Sequence, residues 1–396
     1  MDWRGVYYPP EALGESISWL IGRSMQNKDD MNEQFRWPER IYTLDVLRGV
    51  AALSVVFWHW QHFFYVGDKS ALFEVTRQPF FEHITLLYKY GALAVELFFC
   101  ISGFVFFYLF FNKIASGKLS ASGFFVNRFS RLYPLHIVSF AAVAVLQLFY
   151  LRHNSVYFIY QYNDFYHALL NVLVVPAWGL EKGWSFNGPV WSVSVEMFLY
   201  GVFFIVCLMG KARYFLVPTL IVASWLTYPE YHKLSAGVFS FFSGGLAFLI
   251  FARFTSLTGR KACCISAFIT MLIAWSVVWL CPTLNIYFLM GIAFPASVVF
   301  FASLSYLSPD FMKQFRAVGD ISYSSYLLHF PLQIVFAVTF DALGYTREIF
   351  YNAWMLLLFM AVLIPLSYAS HRFFEAPVQQ WLRRWFKAWN SHRSHA

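Results

Sequence analysis

The chain has 396 residues, of which 59% are hydrophobic, 22% aromatic and only 13% charged. Soluble domains carry roughly 25% charged residues, so the composition excludes a disordered chain, a collagen-like fibre and an ordinary soluble enzyme, and points to a polytopic membrane protein. The formal net charge is +8, and the placement of that charge argues for a membrane surface and against nucleic acid.

Residues 1–40 mix Arg4, Arg23, Lys28, Arg36 and Arg40 with seven acidic residues. They lack the apolar core and small-residue cleavage site of a signal peptide. They read as a cytosolic leader with one short helix near Ile17–Ile21. From residue 41 apolar runs dominate, and about 20 residues are needed for a helix to cross the hydrocarbon core. Ten spans are expected, at 44–66, 88–111, 132–151, 190–209, 213–229, 234–252, 263–281, 285–307, 321–340 and 351–371. Leu169–Trp178 is too short to cross and contains Pro176, so it reads as a re-entrant or interfacial piece. The expected fold class is an all-α bundle of about ten transmembrane helices.

Ten crossings from an inner N-terminus place 22 of the 29 Lys and Arg residues on the inner side. That bias predicts both termini to be cytoplasmic. Residues 375–396 form a basic, aromatic tail, with Arg383, Arg384 and Lys387 among Trp381, Trp385 and Trp389. It is expected on the inner surface, against membrane lipid. Five Cys make no disulfide framework, and no spacing suggests a metal site. No internal repeat is visible.

A charge inside a span needs a partner or water. In the first span Asp45 and Arg48 are three apart and share a face. Arg48 and His59 are eleven apart, on the same helical face and about 16 Å apart along the axis. Gly49, Ala51 and Ala52 between them allow close helix approach. This stripe is either functional or a snorkelling arginine with a satisfied histidine. The second span carries Glu96 and then Ser102-Gly103, which either bends the helix, admits a ligand or marks tight packing. The loop into the third span holds Arg128 and Arg131. With Arg48 they could form a three-arginine phosphate site, or they anchor lipid headgroups. His136 reads as interfacial. Before the fourth span, Pro189, Ser192 and Glu196 share a face, with Glu196 expected at the depth of His59. Its carboxylate is either functional or held by Trp or Tyr donors. In the ninth span Ser325 and His329 share a face ahead of Pro331.

Together these stretches resemble the acyltransferase 3 family of integral-membrane acyltransferases, over about residues 40–374. The resemblance is carried by Leu44-Asp45-Val46-Leu47-Arg48-Gly49 with His59, by Ser102-Gly103-Phe104, by Arg128-Phe129-Ser130-Arg131, by Trp191-Ser192 through Glu196, and by Ser322-Tyr323 through His329. It implies a membrane domain at 41–374 that moves an acyl group, acetyl first, from acyl-CoA to a hydroxyl of a sugar, oligosaccharide or polysaccharide. Acyl-CoA is then a co-substrate, with no permanently bound cofactor, and the address is a bacterial inner membrane. Carried over, Arg48, Arg128 and Arg131 bind the donor's phosphates. His59 is the general base and Glu196 its partner, or a ligand for sugar hydroxyls. Asp45, Ser192 and His329 support the site, and Ser102, Trp191 or Tyr323 supplies an oxyanion donor. Trp178, Trp184 and Phe186 either stack on sugar rings or belong to the aromatic belt. A transporter of a glycan or lipid-linked substrate would use the same buried charges without chemistry, and a non-catalytic scaffold would need them only for folding.

Overall fold

The computed structural model describes residue 38 and residues 40–70, 73–281, 283 and 285–393. The expected helix near Ile17–Ile21 lies outside the described residues. The elements among the described residues are helices and one two-stranded hairpin, Tyr65–Val66 with Lys69–Ser70. The helices are α1 (Tyr42–Trp58), α2 (Phe81–Tyr90), α3 (Ala94–Ala115), α4 (Ala121–Asn154), α5 (Phe165–Val172), α6 (Trp191–Leu208), α7 (Arg213–Thr227), α8 (His232–Leu257) and α9 (Arg260–Leu280). They continue with α10 (Ile286–Leu307), α11 (Arg316–Asp320), α12 (Ser322–Ala342), α13 (Ala353–Ala369) and α14 (Ala376–Arg393).

Among the described residues, eight helical stretches are long and apolar enough to cross a membrane. The first and fifth expected spans are also helical but are not among the eight. Their α-helices, α1 and α7, have 17 and 15 residues, short of the about 20 a crossing needs.

Three boundaries differ from the sequence reading in ways that shape the site. The first span is not one α-helix. It tightens into a 3₁₀ segment, His59–Phe64, so that His59 sits at the change of pitch. The segment read as a loop into the third span is helix. Ser120 accepts a hydrogen bond from the Gly123 amide and starts α4 at Ala121, placing Arg128 and Arg131 on one helical face. Leu169–Trp178 is divided between the end of α5 and a turn with Val174 at φ 60°. His136 is fully buried, and its Nε2 donates to the Asn171 carbonyl at 2.7 Å, tying that segment to α4.

The core is built on close backbone approach. The most extensive helix pair is α3 with α8. A Cβ added to Gly103 would lie 1.8 Å from the Phe241 carbonyl oxygen, and one added to Gly244 would lie 2.0 Å from the Cys100 carbonyl oxygen. Gly103 is therefore a packing contact, whereas Ser102 beside it lines a cavity. The same device joins α1 to α11: a Cβ on Gly49 would meet Val318 at 2.4 Å, and one on Gly319 would meet Asp45 at 2.6 Å. Stacked aromatics fill the space beside these contacts, such as Phe106 on Tyr200 with ring centroids 4.8 Å apart.

Gly103→Ala is expected to destabilise the protein by about 1–3 kcal/mol through overpacking. Gly201→Ala, whose Cβ would meet nothing within 4 Å, should stabilise by up to about 1 kcal/mol through helix propensity. Thermal unfolding of the two variants in detergent checks this pair.

Candidate active site

The buried charges line three cavities that adjoin one another through shared side chains. The first, of about 350 Å³, opens at the end of α1 that carries Arg48. Arg40, Arg48, Arg128, Arg131 and Arg383 line it, with Asp45, Asp320 and Glu375. The second, of about 170 Å³, shares Arg48, Arg128, Arg131 and Tyr323 with the first and adds Ser102, Ser192, Glu196, Tyr200 and Tyr326. The third, of about 320 Å³, holds His59, His62, Glu96, Trp184, Trp191, Lys233 and again Tyr326.

At the arginine end, Asp45 accepts from Arg40 Nε at 2.5 Å and from Arg48 Nη1 at 3.2 Å. Arg40 Nη2 also donates to Asp320 at 2.6 Å. Burial opposes the Arg40 charge, but the hydrogen bonds to Asp45 and Asp320 outweigh it and raise its pKa, so it stays a cation. Arg128 lies over the Phe106 and Phe110 rings, 5.2 and 4.9 Å from their centroids. Its Nε is shielded from solvent and has no partner among the described residues. These arginines are held in place while retaining donor capacity for an anion.

The middle cavity centres on Glu196. Its Oε1 accepts from Tyr200, one turn along α6, at 2.5 Å and from Ser102 at 3.4 Å. Tyr323 donates to the Leu132 carbonyl at 2.5 Å. The Tyr326 hydroxyl donates to the Pro189 carbonyl at 2.7 Å and pairs with Ser192 at 2.8 Å.

The third cavity gathers histidines. His59 lies between His62 and His329, with ring centroids 4.7 and 4.8 Å away. The 3₁₀ pitch explains the first contact, because residues three apart eclipse there. His59 Nδ1 is 2.9 Å from the Val55 carbonyl. A carbonyl only accepts, so Nδ1 carries the proton and the neutral ring keeps its lone pair at Nε2. Gln333 repeats the arrangement: its amide nitrogen donates to the His59 carbonyl at 2.8 Å, so its oxygen accepts from His62 Nδ1 at 3.1 Å. Among the described residues no group of three or more His, Cys, Asp or Glu could hold a metal ion.

The expected site residues are thus distributed. Asp45, Arg48, Arg128 and Arg131 meet at one end, and His59 and Trp191 meet at the other with His329 against the His59 ring. Glu196 is not placed beside His59. It lines the middle cavity with Ser102, Ser192 and Tyr323, because the α6 face that carries it turns toward the α4 arginines. Of the three expected oxyanion donors, only Trp191 lines the cavity of His59. Sequence reasoning missed His62, Gln333 and Lys233. His62 was signalled by its spacing of three from His59. The other two come from distant helices with no pattern to mark them. Lys233 pairs with Glu181 and lies 3.5 Å from the Trp184 ring centroid. Of the outer aromatics, Trp184 lines the cavity of His59.

Tyr200→Phe should keep the stacking on Phe106 but leave Glu196 with the long Ser102 contact alone. We expect a loss of about 1–3 kcal/mol of stability. Adding Glu196→Gln to that variant should recover part of it, since a neutral amide is less costly to strand than a carboxylate. Unfolding midpoints in detergent give the comparison.

Comparison with known proteins gives the family. The acyltransferase 3 family model, described as an acyltransferase domain, matches residues 41–372. The chain is similar to a peptidoglycan O-acetyltransferase, OatA, of Listeria monocytogenes. The two are 25% identical over 336 residues, 74% of this chain and 52% of that protein. It is 36% identical over 107 residues to protein 2 in the picA locus of Rhizobium radiobacter, covering 27% of this chain and 46% of the relative. It is 31% identical over 167 residues to the acyltransferase MdmB of Streptomyces mycarofaciens, covering 41% of this chain and 38% of the relative. The chain thus spans about half or less of the length of these relatives. No solved structure matches it. The family match over more than four-fifths of its length, on a helical bundle with this buried polar column, makes the chain a member of the acyltransferase 3 family of membrane proteins.

Proposed function

We propose that the protein is a ten-span O-acyltransferase with both termini in the cytoplasm. It moves an acyl group, acetyl in the first instance, from cytoplasmic acyl-CoA to a hydroxyl of an exported sugar or polysaccharide at a bacterial inner membrane. One observation carries the reading: three neighbouring cavities run from a cluster of arginines, with Arg128 Nε unpaired among the described residues, to a histidine whose Nδ1 is engaged and whose Nε2 is left to act. The similarity to a peptidoglycan O-acetyltransferase supports acetyl as donor group and a glycan as acceptor.

The donor's phosphates bind at Arg48, Arg128 and Arg131. Its pantetheine arm runs through the middle cavity past Ser192 and Tyr326, and the thioester reaches the histidine cavity. The acceptor hydroxyl enters from the opposite face, beside Trp184 and Trp191. Its oxygen attacks the thioester carbonyl carbon while His59 Nε2 takes its proton. Collapse of the tetrahedral intermediate breaks the C–S bond, and the departing thiolate takes the proton back from His59. The products are an ester and free CoA. Glu196 acts on the donor side, by holding Tyr200 and Ser102 around the arm.

The test is expression of the wild type and His59→Ala, at matched membrane levels, in a host lacking the activity. Ester-linked acyl groups on the surface glycan are then read by mass spectrometry. We expect His59→Ala to lower acylation at least about 100-fold, the usual range for losing a general base. The mass increment identifies the acyl group. Equal acylation by both would overturn the histidine mechanism, and unchanged glycan export with lost acylation would exclude a transporter.

A further inference from the structure

The basic C-terminal helix enters the donor cavity. α14 packs on α4 and brings Gln379 and Arg383 to the lining of the arginine-end cavity. The five arginines there are not equivalent. Arg48, Arg128 and Arg131 line both this cavity and the middle one, whereas Arg40 and Arg383 line this one alone. Arg40 is committed to Asp45 and Asp320 at 2.5 and 2.6 Å. The third carboxylate, Glu375, accepts from the Ser324 and Ser370 hydroxyls. Among the described residues Arg383 makes one long hydrogen bond, from Nη2 to the Asn127 carbonyl at 3.3 Å, and its Nε is shielded from solvent without a partner. It is a cation on the part of the cavity wall not shared with the middle cavity, with donors to spare, and a buried donor left unpaired is costly.

We propose that Arg383 binds the ribose 3′-phosphate of coenzyme A, an assignment that rests on the donor-site reading above. The connectivity of the ligand makes the choice. The diphosphate is joined directly to the pantetheine arm, so with the thioester at His59 it falls at the arginines common to both cavities. The 3′-phosphate is attached one ribose further out, toward the wall not shared with the middle cavity. Arg383 is the arginine of that wall whose Nε is unpaired among the described residues. A phosphate monoester carries about −1.5 to −2 charges near neutral pH, and a guanidinium fork binds it through charge-assisted hydrogen bonds.

The experiment is calorimetric titration of the purified full-length protein with coenzyme A and with 3′-dephospho-coenzyme A. The wild type should prefer coenzyme A by about tenfold or more, the worth of a charge-assisted hydrogen bond. Arg383→Ala should reduce that preference to within about twofold, with the dephospho ligand reporting on the integrity of the rest of the cavity in the same protein. Arg383→Lys, which keeps the charge and loses the fork, should show an intermediate preference. A wild type that binds both ligands equally, or variants that keep the full preference, would overturn the assignment. A wild type that binds neither would overturn the donor-site reading instead.

Discussion

Charged side chains inside an apolar bundle persist only where they pair or line a cavity that water or a ligand can enter. That constraint organises this protein. Asp45, Arg48, Arg128, Arg131 and Glu196 all sit on helices of an apolar bundle, and each lines a cavity. The bundle is assembled around them. α1 contributes the arginine and the histidine, α4 the arginine pair, α6 the carboxylate, and α12 the tyrosines and His329.

The walls of this column depend on glycine. α3 approaches α8 so closely that the Gly103 and Gly244 positions have no room for a methyl group, and the α1–α11 contact works in the same way. Without a hydrophobic force between helices in lipid, such van der Waals contact is what holds them in register. α3 also brings Ser102 to the middle cavity and Glu96 to that of His59. The 3₁₀ turn that ends α1 has a comparable effect at the other end. It stacks His62 against His59 and gives Gln333 two groups to bridge.

Much of this was legible beforehand. The membrane class followed from composition, and eight of the ten expected spans fall on helical stretches long and apolar enough to cross a membrane. The pairing of Asp45 with Arg48 follows from a spacing of three on a helix, and the distance between Arg48 and His59 from the helical rise. The early start of α4 was also written in the chain, at Ser120, but the apolar run that defines a span begins later and drew the boundary inward. What periodicity cannot supply is the rotation of one helix against another. Glu196 was expected at the depth of His59, yet it lines a cavity with the arginines. Gln333 and Lys233 carry no local signal.

The sequence by itself determined the all-helical membrane class, the family, and the identity of the polar residues that need an explanation. It could do so because hydropathy, charge placement and helical spacing are local properties of the chain. Only the tertiary structure decided which of those residues share a cavity, that Gln333 bridges His59 and His62, and that the C-terminal helix supplies an arginine to the arginine-end cavity. These depend on contacts between segments as far apart as Asn127 and Arg383, or His59 and Gln333. Such contacts are set by how side chains of different helices interlock, which no single helix encodes.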